Sequence, residues 1–140
     1  MTALTFFQPF LEAVMEKKHN MGADALTVFL CNAANPPLVA DAVLADQVTV
    51  AYTFCSTRVL GVTSSAQVAG VYSLVIPDLT LTATGGAVGP FQYIGIFNDT
   101  AASDEVVCFY NLGSEVTIPD GQSFLCDFNN VDGLFQLTIV

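Results

Sequence analysis

The sequence contains no tryptophan, one histidine (His19) and only three basic residues, Lys17, Lys18 and Arg58. Each shortage excludes something. Thirteen acids against three cations leave a formal net charge of −10. A protein that neutralises phosphates needs clustered cations to displace counterions, so nucleic-acid binding is excluded. An anionic membrane surface is disfavoured for the same reason. No apolar run approaches the roughly 20 residues of a membrane-spanning helix. The amino end has no basic region, and it carries Glu12 and Glu16 where the apolar run of a secretory signal would continue. Synthesis in a cytoplasm is therefore expected. The four cysteines, Cys31, Cys55, Cys108 and Cys126, form no CxxC pair. With one histidine available, a zinc centre lacks ligands. Each cysteine sits in an apolar, strand-like context, which predicts buried free thiols ahead of disulfides.

What is present is apolar. Of 140 residues, 53% are hydrophobic and 11% charged. An average globular chain has roughly 25% charged residues. This composition excludes intrinsic disorder and allows one domain over 1–140 with a sizeable core. It also leaves more neutral and apolar surface than a free monomer carries, which favours a part of an assembly.

The stretch 79–100, LTLTATGGAVGPFQYIGIFNDT, organises the rest. Residues 79–82 alternate apolar and hydroxylated side chains, as a half-buried strand does. Gly85-Gly86 and Gly89-Pro90 then break the chain, so the stretch reads as two strands around a glycine turn. In the second strand, 91–97, Phe91, Tyr93, Gly95 and Phe97 share one face, and Gln92, Ile94 and Ile96 the other. Both faces are mostly apolar, so this strand is expected at the centre of a sheet, covered on both sides. Upstream, 5–19 is the one convincing helix. Phe7, Phe10, Leu11, Val14 and Met15 form an apolar stripe. Pro9 fits only in the first turn, and Lys17, Lys18 and His19 suit the last. Gly22 is the expected residue beyond its end. The stripe reads as packing on the protein's own sheet, or as a docking helix for a partner. Further strands are expected over 25–31, 47–55, 58–62, 71–76, 105–110, 115–118, 122–128 and 134–140. Residues 32–46 form a long loop, 63–65 a polar turn and 111–113 a strand end. Pro119-Asp120-Gly121 is the turn of a hairpin. About eight or nine short strands with one amino-terminal helix predict a mainly β fold, a β-sandwich or small β-barrel.

No catalytic, cofactor-binding or metal-ligating residue is assigned. His19 has no local nucleophile or acid and reads as a solvent histidine at a helix end. Ser64-Ser65 lacks a GxSxG context and reads as a turn. Asp99, Asp104 and Glu105 lie close together, but their spacing is not that of a calcium loop, and they read as an acidic solvated loop. Asn98-Asp99-Thr100 fits the glycosylation sequon and reads as a turn. The chain is expected not to be an enzyme.

Motifs spread along nearly the whole chain resemble a family of small structural proteins of tailed bacteriophages. Phe10-Leu11-Glu12-Ala13-Val14 and Lys18-His19-Asn20-Met21-Gly22-Ala23-Asp24 resemble its amino end, followed by the strand Leu26-Thr27-Val28-Phe29-Leu30. Leu44-Ala45-Asp46, Val62-Thr63-Ser64-Ser65-Ala66-Gln67 and Gly70-Val71-Tyr72 continue the likeness. Its clearest part is Thr82-Ala83-Thr84-Gly85-Gly86 with Val88-Gly89-Pro90-Phe91-Gln92-Tyr93 and Phe97-Asn98-Asp99-Thr100. Ile118-Pro119-Asp120-Gly121-Gln122 through Asp127-Phe128 resembles the carboxyl end. The cysteines and residues 32–41 depart from the pattern. The resemblance implies a virion protein made in the host cytoplasm. It implies a capsid decoration or cement protein on the capsid exterior, with the major capsid protein as partner and a homotrimer as its state. A tail-tube, connector or receptor-binding tail-fibre module is the alternative. A carbohydrate-binding module should gather aromatics in loops, whereas here they lie mostly in strands. The expected loop 32–46 and the amino end 1–4 are the parts placed to reach neighbouring subunits. The strand 134–140 has no charged gatekeeper and offers an edge to another chain.

Overall fold

The computed structural model describes residues 3–129 and 132–138. In chain order the elements are β1 (Leu4–Phe6), α1 (Gln8–Met15), β2 (Leu26–Cys31), β3 (Val59–Leu60), β4 (Ser64–Val68), β5 (Val71–Val75), β6 (Leu79–Thr82), β7 (Val88–Asn98), β8 (Val106–Ile118), β9 (Ser123–Cys126) and β10 (Phe135–Thr138). They build a five-stranded sheet in the order β1-β8-β7-β2-β3, a three-stranded sheet β10-β5-β4 and a two-stranded sheet β6-β9. Every pairing is antiparallel. The fold is mainly β and sandwich-like, and it is not a closed barrel.

The central strand lies where its two apolar faces predict. β7 pairs with β2 on one side and β8 on the other. Alternation along β2 sends Leu26, Val28 and Leu30 into the main core, with Ile94 and Ile96 of β7, Leu74 and Leu81 from the smaller sheets, and Ile76 just beyond β5. Phe29 and Cys31 point the other way, into a second cluster with Phe7, Phe97, Val106 and Phe109. Full burial of each large aliphatic side chain contributes roughly 1.5–3 kcal/mol. One predicted face is corrected. The register of β7 against β8 shifts between Phe91 and Tyr93, and this bulge turns Phe91 onto the side of Ile94 and Ile96.

The helix is shorter than predicted. Thr5 and Phe6 belong to β1, which pairs with β8, so α1 begins at Gln8 with Pro9 in its first turn. It ends at Met15, not at His19. The Lys17 and Lys18 amides bond to the Val14 and Ala13 carbonyls at 3.3 and 2.8 Å. Lys17, not Gly22, occupies the left-handed position beyond the end, with φ of 64°. Phe10 and Ala13 are buried, while Leu11 and Met15 of the predicted stripe face outward.

Residues 47–55 form no strand. β3 takes the first end of β2, pairing at Leu26 and Thr27. The Leu30 amide is already bonded to the Tyr52 hydroxyl at 2.9 Å. Only single bridges remain, Cys31 to Thr49 and Cys55 to Ala83. Arg58 holds this arrangement. Its guanidinium lies 3.6 Å over the Tyr52 ring and donates to the Val28 carbonyl.

Other boundaries moved for similar reasons. Ser64 and Ser65 lie in β4, and the turn falls at Ala69-Gly70, with φ of 50° and 85° as a two-residue hairpin needs. Asn111 to Gly113 do not end β8. The Asn111 side chain accepts the Gly113 amide at 2.8 Å, and the extra residues are absorbed as an irregularity against β7. The strands on either side of the glycine turn do not pair with each other, because β6 pairs with β9. The Pro119-Asp120-Gly121 turn forms, but its arms part into different sheets. The two turns are joined instead: Asp120 accepts the Gly85 amide at 2.8 Å, and the Ala83 carbonyl accepts the Gly121 amide at 2.9 Å. Residues 32–46 are the expected loop, closed by a short 3-10 turn over Leu44–Asp46. Met1, Thr2, Ile139 and Val140, which fall in the expected amino end and final strand, lie outside the described residues. All four cysteines are free; Cys31, Cys108 and Cys126 are buried.

Candidate functional site

α1, β10 and residues 19–23 enclose one groove of about 1170 Å³. Its floor is a face of the small sheet. Leu137 stands opposite Tyr72, and Phe135 opposite Leu74; alternation puts these four on one side, with Ser65 across from Leu74. Leu74 and Phe135 are the buried, inner part, and Leu137 is 57% exposed at the outer end. The wall is α1, through Phe10, Leu11 and Val14. Phe6 of β1 meets Phe135 edge to face, centroids 5.2 Å apart, so edge strands of two different sheets meet here. Leu11 is 69% exposed, and Met15, one turn further on, 76%. Among the described residues no carboxylate side chain lines the groove, and the charged residue of its lining is Lys17.

His19 also lines it, and its place overturns the solvent reading. The turn after α1 brings His19 back against the helix, so the residue is 8% exposed and its ring packs on Phe10 at 5.2 Å. The network around it fixes its proton. Asn98 is fully buried, and its oxygen accepts the Thr100 and Ala101 amides at 3.0 and 3.1 Å. Its amide nitrogen therefore points inward, donating to Asp24 Oδ2 at 2.5 Å and to His19 Nδ1 at 3.0 Å. Nδ1 is an acceptor, so the neutral ring carries its proton on Nε2, which is buried without a partner among the described residues. Burial lowers the His19 pKa, a tendency that Glu105 and Asp24 oppose and Lys18 reinforces. The sequon asparagine is thus a structural donor in the interior.

Of the other residues singled out from the sequence, Ser65 joins His19 in the groove lining, and Asp99, Asp104 and Glu105 do not line it. Ser65 shares a 2.8 Å hydrogen bond with the Tyr72 hydroxyl. Glu105 accepts the Ser103 amide at 3.3 Å, and the Asp104 carbonyl accepts the Leu44 amide at 2.9 Å. The exposed Asp99 follows Asn98. Among the described residues no three His, Cys, Asp or Glu side chains are grouped as a metal site. The helix stripe signalled the groove, because Phe10, Leu11 and Val14 of that stripe line it. The contribution of residues 19–23 and of Tyr72 had no local signal. Compared with protein-family models, with curated proteins and with solved structures, the chain finds no match in any of the three.

Proposed function

We propose that this chain is a structural protein of a tailed-bacteriophage virion, a decoration or cement protein that binds the outside of the major capsid shell and stabilises it. The observation that carries the reading is the open apolar groove between α1 and β10, with Leu11 and Leu137 exposed at its rim. Contiguous apolar surface of this kind marks a contact site. The motif resemblance supplies the assembly. In this reading the chain performs no catalysis and holds no cofactor. Its partners are the major capsid protein and copies of itself in a trimer at a threefold or quasi-threefold point, where one clamp stiffens several contacts. The net charge of −10 suits an outer surface away from packaged DNA. A map of the intact particle, with the copy number of this chain, tests it. Hundreds of copies in trimers on the shell exterior are expected. Density in the tail, or isolated monomers on the capsid, overturns it.

A further inference from the structure

We propose, building on the shell-binding reading, that β10 is an acceptor edge. An extended segment of the shell protein, apolar at alternate residues and bearing a carboxylate, pairs along Phe135–Thr138, sinks its apolar side chains into the groove and sets its carboxylate against Lys17.

Three observations carry this. First, β10 pairs with β5 on one side only, and no described strand lies beyond it. Its sequence, Phe-Gln-Leu-Thr, holds no charge or proline, the usual defences of an exposed edge. Such an edge offers unpaired amides and carbonyls that a peptide satisfies and an acyl chain cannot. Second, the groove is an open slot. With Leu11 and Leu137 exposed at its rim, any occupant keeps one side in water. An alternating strand has a polar side to present there, and a lipid tail has none. Third, the charge is local. A chain with thirteen acids and three cations places none of the acids, and Lys17, in this lining. Lys17 also sits at φ of 64°, where glycine is the usual occupant. The charged residue of the lining thus stands where a glycine would be less strained.

The test is amide hydrogen exchange on the full chain, alone and bound to shells assembled without it, together with shell-binding titrations. The outward-facing amides within Phe135–Thr138, those not directed at β5, are expected to gain protection on binding. Leu137→Asp should weaken binding on the order of a hundredfold. Lys17→Gly, which suits the left-handed backbone, should weaken it roughly five- to tenfold while melting no lower than the parent. Absence of shell binding by the parent overturns both this inference and the reading beneath it. Shell binding with unprotected β10 amides, or with variants that bind like the parent, overturns this inference alone. Concentration-dependent protection of the same amides without shells assigns the edge to a second copy and also overturns it. So does protection by laurate but not by shells, which assigns the groove to a lipid.

Discussion

Gly95 lies at the middle of β7, opposite Phe29 of β2 and Phe109 of β8. The Phe29 ring is fully buried and occupies the space where a side chain at 95 would begin. A Cβ built there falls inside the ring's van der Waals envelope; even Cε2, the farthest of the three nearest carbons, is 2.6 Å away. Favourable carbon–carbon contact begins near ~3.5 Å, so the ring must retreat by about 1 Å or more. It cannot retreat freely, because Phe7 and Phe97 stand behind it at centroid distances of 6.4 and 6.5 Å. Gly95→Ala should therefore cost about 2–3 kcal/mol by overpacking, lowering the melting temperature by roughly 6–12 °C. Phe29→Leu alone leaves a partial void and should cost about 1–3 kcal/mol. The double variant should be more stable than the sum of the two by about 1–2 kcal/mol, because each change relieves the other. Urea titrations of the four proteins give the cycle. A Gly95→Ala protein that melts within about 1 °C of the parent, or strictly additive costs, would refute the argument.

Three further outcomes are expected. The lowered His19 pKa means that the unfolded chain, near 6.5, takes up the proton first. This contribution is intact above about pH 6.5 and is lost below it, by at most about 1.4 kcal/mol per pH unit; urea midpoints between pH 7.5 and 5 should fall more steeply for the parent than for His19→Gln, and parallel curves would sink the assignment. Burial pushes the Cys31 thiol up to about 11 and Cys126 up to about 12, and Cys108 higher still, so alkylation of native protein at pH 8 should label the partly exposed Cys55 first. Mass spectrometry showing two disulfides in every molecule contradicts that. Gly89, at φ of 110° with a Cβ position 2.8 Å from the Val116 carbonyl oxygen, should cost about 1–3 kcal/mol when changed to Ala. Gly86→Ala meets the Phe54 ring at 2.5 Å, but that ring is 42% exposed and can swing away, so melting temperatures in the reverse order would be evidence against the turn geometry.

The parts of the fold legible in the sequence are those decided locally. β7 declared itself through two apolar faces, and the Pro119-Asp120-Gly121 turn through its residue types. Pairing did not, because it is settled by competition among distant strands. The alternation of 47–55 is real, yet β3 and the Tyr52 hydroxyl had already taken the bonds that β2 could offer. Likewise the Leu79–Thr82 strand found β9 and not its neighbour across the glycines. His19 illustrates the limit at the site. Beside two lysines it reads as solvated, and the residue that holds it, Asn98, is 79 positions away. The groove was half legible: Phe10, Leu11 and Val14 advertised an apolar surface, but nothing near them specified the sheet face that faces it.

The order of the large sheet has a consequence for how the chain is made. β2 is buried at every one of its six residues, and its main cover is β7, with Leu26 opposite Asn98. A ribosome adding 5–20 residues per second needs roughly 4–14 s to supply the intervening ~70 residues. For that interval a strand destined for burial has emerged while the strand that pairs along its edge does not yet exist. Yield should thus respond to growth temperature and chaperone supply during this window, through a species that the finished fold no longer contains.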